Sequence, residues 1–236
     1  MQENLLDSKN FAKVKSIAMV AVIIAILAII MIPLPPIILD IFLVSSCLIS
    51  ALLILMATKF SKSINLSIFS TIILVIVLFK LALNVATTRQ ILSCGHENAV
   101  SNIIESLGQL IVGGNMIIGV IIFCILMFVN FFVIYKVLAK FTPNLGTNFY
   151  EAMDGSGQFI KGDAIAGIII TIVNIIGGVL IGVFHHNMQM QESVRVFTIL
   201  TIGDGVIQII LSLIIVTAFA IIVRDSKDND AMTNNF

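Results

Sequence analysis

Charge is scarce in this chain, and the charged residues that interrupt its apolar stretches are the ones that could do chemistry. Asp154, Lys161 and Asp163 lie in the polar, glycine-rich approach to a long apolar run, FYEAMDGSGQFIKGDAIAGIIITIVNIIGGVLIG over 149–182. Lys80 stands near the middle of another apolar run and Arg89 near its end, while Asp204 falls in the last run, inside LTIGDG. A carboxylate beside a cation at a membrane can exchange protons, because burial and neighbouring charge both alter its affinity for one. An ammonium at mid-bilayer costs about 2.5–3.5 kcal/mol on insertion scales, so Lys80 is expected to face an interior or a cavity. A structural interhelical ion pair is the plainer alternative. Asn84, Thr87 and Thr88 share the face of Lys80 at helical spacing, and Arg89 points the other way. For Asp154, Lys161 and Asp163 the spacing alone also fits solvated loop charges.

Other chemistries find no support. The chain holds no nucleophile–base constellation, no G-x-x-x-x-G-K-S/T nucleotide loop and no metal motif. Cys47, Cys94 and Cys124 have no paired spacing, and Cys47 and Cys124 read as small buried residues of apolar runs. His185 and His186 would diverge by about 100° on a helix, which does not make a metal site. With zero net charge, no basic field points to nucleic acid. The expectation is a protein that is not an enzyme and uses no cofactor or metal.

The elements that must position these charges are membrane helices. The chain has 236 residues, 59% hydrophobic and 11% charged, with mean hydropathy +1.13, far more apolar than a typical soluble domain. Runs at about 16–32, 37–57, 67–92, 116–138, 163–184 and 198–223 are each long enough to span a bilayer. The fold class is therefore all-α, integral to the membrane, with about six transmembrane helices. Residues 99–112 alternate Val100, Ile103, Ile104, Leu107 and Ile111 with Ser101, Glu105 and Gln109, which reads as one interfacial amphipathic helix broken by Gly113-Gly114-Asn115. Pro33, Pro35 and Pro36 make a stiff turn between the first two spans, and Asp40 complements the dipole of the second. Lys9, Lys13, Lys15, Lys59, Lys62, Lys136, Lys140, Lys161, Arg224 and Lys227 fall on one side and only Arg195 on the other, which places both termini in the cytoplasm. The organisation is a cytoplasmic segment 1–15, a polytopic domain 16–224 and a disordered tail 225–236.

Two of these spans carry polar stripes. From Asp163, the positions Gly167, Thr171, Asn174, Gly178 and Gly182 stay within an arc of about 100°. Thr198, Thr201, Gly205, Gln208 and Ser212 form a similar arc on the last span, with Asp204 at its edge. Small and hydroxyl residues let helices approach and bond, so the stripe from Gly167 to Gly182 reads as helix-packing surface rather than as a conduction path, the second stripe as its packing partner, and Asn84 as a helix-packing residue.

Several segments together carry a resemblance: MIPLPPIILDIFL (31–43), LFKLALNVATTRQIL (78–92), GQLIVGGN (108–115), FYEAMDGSGQFIKGDAIAGIIITIVNIIGG (149–178) and LTIGDG (200–205). In these, over about residues 30–206, the chain resembles the membrane domain of the FlhA / injectisome export-gate family (flagella/HR/invasion proteins export pore). The GHE at 95–97 and the GGN favour the flagellar branch. The resemblance implies a multi-pass protein of the bacterial cytoplasmic (inner) membrane. It would form a homo-oligomeric ring, a nonamer, with other export-apparatus membrane subunits, an export ATPase complex and unfolded export substrates as partners. It implies that Asp154 is the candidate for proton coupling, that Lys161 and Asp163 match the charged approach to the next span, and that Arg89, Asn84 and Asp204 match their motifs. Lys80 stands where the family usually has arginine and lacks its bidentate fork.

The departures are specific. The family's long charged loop before the MDG motif is reduced to the interval from Tyr135 to Asp154, and its large soluble C-terminal domain is expected to be absent. After IGDG the family's Q-I-P-A pattern is replaced by Val206-Ile207-Gln208-Ile209, without the proline. The expectation is a truncated membrane subunit that helps couple the proton motive force to export of unfolded proteins. It would be reduced, split or cut by design. A free-standing proton-coupled carrier or channel and a vestigial structural ring scaffold are the alternatives.

Overall fold

The computed structural model describes residues 17, 19–60, 66–93, 100–141 and 148–233. Among them the chain folds as seven helices: α1 (Met19–Met31), then α2 (Pro36–Phe60), α3 (Leu66–Ser93), α4 (Asn102–Val112), α5 (Met116–Phe141), α6 (Asn148–Phe184) and α7 (Met190–Thr233). Five of these, α2, α3, α5, α6 and α7, are long and apolar enough to cross a membrane. The first expected span, 16–32, is described as the shorter apolar helix α1, and part of it lies outside the described residues.

Local chemistry sets several boundaries. Pro36 opens α2 at the position where a missing N–H costs nothing. Ser101 caps α4, its hydroxyl oxygen accepting from the Ile104 amide at 3.3 Å. Gly113 ends that helix with φ 53°, a left-handed conformation that glycine adopts freely. Asn115 then caps α5, accepting from the amides of Ile117 at 3.1 Å and Ile118 at 3.4 Å. Asp40, expected to complement the start of its own helix, lies past the first turn of α2; its carboxylate accepts from the Ser101 hydroxyl and, at 3.5 Å, from the Ile103 amide in the first turn of α4.

Both striped helices begin earlier than their apolar runs. The polar, glycine-rich approach containing Met153-Asp154-Gly155 is already part of α6, and α7 starts at Met190. Met153 and Ile160 are buried, in an apolar cluster with Leu138, Phe219 and Val223. That burial offsets the weak helix propensity of the intervening glycines. The path of α7 also continues through Thr233, where the sequence led us to expect a disordered tail. No proline or glycine between Arg224 and Thr233 interrupts it.

The helix α7 is the central post. It touches α2, α3, α4, α5 and α6, and 67% of its most apolar window is buried, against 22% for α5 and for α6. The exposed sides of α2, α5 and α6 are therefore the ones left for lipid or for other proteins. Cys47 and Cys124 lie on such exposed sides and are not the buried residues expected. Two glycines set the approach of α4 to α7. A Cβ on Gly108 would strike the Ile199 carbonyl, and one on Gly203 the Ile104 carbonyl. The amphipathic helix therefore gives its apolar side, Ile104 and Val112, to α7, while Glu105 and Gln109 bond to each other at 2.9 Å on its exposed side.

Gly108→Leu and Gly203→Leu should each destabilise the purified protein by about 2–3 kcal/mol or more, the cost of overpacking. A Cβ added at Gly167 meets nothing within 4 Å, so Gly167→Ala should not lower the unfolding temperature in detergent and should raise it slightly, alanine favouring a helix interior by about 1 kcal/mol. Thermal unfolding of the three variants checks this.

Candidate functional site

Three helices meet at one buried polar layer. From α3, the Lys80 ammonium donates to the Asp163 carboxylate of α6, forming an ion pair. It also donates to Ser212 Oγ of α7 at 2.5 Å. Ser212 Oγ in turn lies 3.3 Å from the same Asp163 oxygen, to which it donates. Lys80 is 2% exposed and Asp163 and Ser212 are each 3% exposed. A buried charge survives in this setting only when paired and bonded. The interhelical ion pair considered for Lys80 is present, and the residue also lines a cavity.

That cavity has a volume of about 30 Å³ and is bounded by Lys80 and Asp163 together with Asn84, Asn130, Asp204 and Gln208. It is large enough for water, and its lining can hold water. The Oδ1 atoms of Asn84, Asn130, Asp163 and Asp204, and both amide atoms of Gln208, have no hydrogen-bond partner in the protein. Asp204 is a second buried carboxylate, 3% exposed, beside Thr87 and Gln208. The cavity wall therefore sets one ammonium against two carboxylates. If both acids are ionised it is one cation short of neutrality. This arrangement can accept one positive charge and solvate it with amide and hydroxyl groups.

The other charged residues drawn from the sequence are elsewhere. Nine residues of helix place Asp154 on the side of α6 opposite Asp163, about 180° away. Asp154 and Lys161 instead line a groove of about 650 Å³ between α5 and α6, with Tyr135 and Gln158. There the Asp154 carboxylate accepts from the Gln158 amide at 2.9 Å. Arg89 is likewise half a turn from Lys80 and about 13 Å along the helix. Its guanidinium donates to the carbonyls of Ile30 and, at 2.9 Å, Met31, closing the C-terminal end of α1 as a cation does at that pole.

The small residues of the α6 stripe serve different ends. Gly178 and Gly182 form the trough that receives the Phe197 ring of α7. Gly167 borders the cavity, and its carbonyl accepts from the Thr171 hydroxyl at 2.9 Å. Asn174 is fully buried with both amide atoms unbonded. Sequence reasoning missed Asn130. Its signal was present: it is the one amide side chain in the apolar run 116–138.

Comparison with known proteins gives a consistent result. The FHIPEP family model matches residues 26–139 and 144–236. The flagellar biosynthesis protein FlhA of Helicobacter pylori (strain J99) is 42% identical over 262 residues, covering 94% of this chain and 36% of that protein. FlhA of Escherichia coli (strain K12) is 38% identical over 240 residues, 84% of this chain and 35% of its own length. The putative flagellar export/assembly protein LfhA of Escherichia coli O44:H18 is 37% identical, over 84% of this chain and 34% of that protein. The chain thus spans about a third of these relatives. An alignment of 262 positions is longer than the chain itself, so the relative carries residues within the matched region that this chain lacks. No solved structure matches.

Removing one partner of the buried pair should be far worse than removing both. Lys80→Met alone should cost about 3–5 kcal/mol, because it strands the Asp163 charge. Lys80→Met combined with Asp163→Leu should recover most of that loss. Unfolding in detergent of the single and double variants checks the ordering.

Proposed function

This chain belongs to the FHIPEP family, and from that premise we propose that it is the membrane part of a flagellar-type type III export gate, helping to couple the proton motive force to export of unfolded proteins. The single observation that carries the coupling role is the buried layer itself, with Lys80 facing two carboxylates, Asp163 and Asp204, around a polar cavity. A proton arriving there would balance the second acid. A proton leaving would restore an unpaired charge that the three helices must accommodate by moving. Each proton crossing the membrane potential supplies about 2.3 kcal/mol per 100 mV, comparable to the cost of exposing or burying such a group.

The proposal assigns the remaining charges separate tasks. Asp154 and Lys161, matching the family's MDG and K-G-D motifs, serve a surface between α5 and α6. Arg89 secures α1 to α3. The apolar outward sides of α2, α5 and α6 would meet lipid, other copies in a homo-oligomeric ring and other membrane subunits of the apparatus. The location is the bacterial inner membrane with both termini cytoplasmic. ATP-driven steps belong to a partner ATPase. A free-standing proton-coupled carrier is the second reading, favoured by the unbonded polar lining of the cavity.

Complementation of an export-gate deletion strain tests the assignment, with the chain supplied alone and with a separately encoded soluble portion. Secretion of flagellar subunits into the medium should return with the pair. Asp204→Asn or Asp163→Asn should lower it by at least about tenfold, and Asp204→Glu by much less. Unchanged secretion in both Asn variants would reject the coupling role. Proton flux through liposomes bearing this chain alone, abolished by Asp204→Asn, would favour the carrier.

A further inference from the structure

The buried polar groups of α3, α6 and α7 are not spread evenly about the Lys80–Asp163–Ser212 layer. Toward the Pro33–Pro36 end come Asn84 and Thr88 on α3, Thr171 and Asn174 on α6, and Gln208 and Asp204 on α7. By helix rise these reach about 16 Å from the layer. Asn84, Thr88, Asn174, Gln208 and Asp204 all keep at least one polar atom unbonded within the protein. In the opposite direction the same helices contribute Ile73, Val77, Ile160, Ile215, Val216 and Phe219, all buried and all in one apolar cluster. Among the described residues of these helices, the buried polar side chains on that side are Ser70 and Ser156. Their hydroxyls bond to each other at 2.6 Å.

The two halves differ physically. Orphaned buried amides and hydroxyls cost about 1–3 kcal/mol each unless water bonds them, and a polar site with several such partners retains water. A well-filled apolar cluster offers water neither space nor partners. Apolar residues also occur in the polar half, including Leu83, Leu200 and Phe197, but there they interleave with unbonded groups. At the far end of that half the Phe197 ring, seated on Gly178 and Gly182, is the bulky closure. Two hydroxyls of α2, Ser46 and Ser50, are also unbonded, but α2 gives no residue to the layer.

We propose that the ion-pair layer is hydrated and exchanges with one side of the membrane only, the side of the Pro33–Pro36 turn, across a narrow closure at Phe197, while the Ile73–Val216–Phe219 cluster is a dry seal on the other side. This deepens the coupling role and rests on the same layer, but it concerns water entry and can be read without any secretion.

The test uses single cysteines in the full chain with Cys47, Cys94 and Cys124 replaced by serine. Thr87→Cys and Thr201→Cys report the polar half, Val77→Cys and Val216→Cys the seal. Gln189→Cys, exposed in the turn between α6 and α7, marks the Pro33–Pro36 side. Silver ions are added to sealed membrane vesicles of each orientation, and surviving thiols are counted with a maleimide after denaturation. The two polar-half cysteines should react at least about tenfold faster from the side that Gln189→Cys marks. Adding Phe197→Ala should speed them further, and the two seal cysteines should stay silent from both sides. Each half has two reporters, so one lost to misfolding leaves the comparison intact. Equal rates from both sides, faster reaction from the far side, reactive seal cysteines, or silent polar-half cysteines would each overturn the proposal.

Discussion

The rest of this structure depends on keeping one ammonium out of lipid. Lys80 sits midway along a long apolar helix, where an unpaired charge costs several kcal/mol. Asp163 and Ser212 answer it from two other helices, and the three then have a fixed register with respect to one another. An apolar interface could slide by a turn at modest cost. A buried ion pair bridged by a hydroxyl cannot, because any slip strands a charge. The polar layer is thus a positional lock as well as a site.

Around that lock the protein uses two kinds of contact. Near the Pro33–Pro36 end, side chains bond to backbone at helix ends: Arg89 to α1, Asp40 and Ser101 to α4, and Gln90 to both Ser101 and Leu34. Toward the other end, tight apolar filling takes over, with Ile73, Met153 and Phe219 at its centre. Between them α7 runs through everything. It carries Gly203 against α4, Gly205 under the Phe123 ring and Phe197 into α6. Small residues there decide how close each neighbour can come, which is the logic of helix association in a solvent as apolar as the helices themselves.

Much of this was legible in the residues. The apolar runs gave the long helices, Gly113 gave the end of α4, and Lys80 announced an interior partner; the cap at Ser101, which was read as part of the helix's polar side, was missed. What the sequence hid is three-dimensional. Asp154 and Asp163 are nine residues apart and look like one charged cluster, yet helical continuity through Gly155 and Gly157 turns them to opposite sides. That continuity is supported by burial of Met153 and Ile160 in an apolar cluster built from several helices, which no local pattern reports. Arg89 matched a motif, but its partners are carbonyl oxygens of residues nearly sixty positions earlier in the chain. Carbonyls leave no trace in composition. Asn130 was visible as a lone amide but became meaningful only beside Asp204 and Gln208.

The separation of the lock's members along the chain has a consequence for biosynthesis. Asp163 follows Lys80 by 83 residues and Ser212 by 132. At about 5–20 residues per second, several seconds pass between synthesis of Lys80 and arrival of its counter-ion. During that interval α3 must hold its place in the bilayer, or wait in the insertion machinery, with a bare ammonium at its midpoint. The long aliphatic stretch on either side of Lys80, from Ile72 to Phe79 and again at Leu81 to Leu83, supplies the favourable transfer free energy that makes this tolerable, at about −0.3 to −0.6 kcal/mol for each Leu, Ile, Phe or Val against the few kcal/mol of the charge. The hydrophobicity of α3 is therefore set by the order of translation as much as by the finished bundle, in which over half of that helix no longer touches its surroundings.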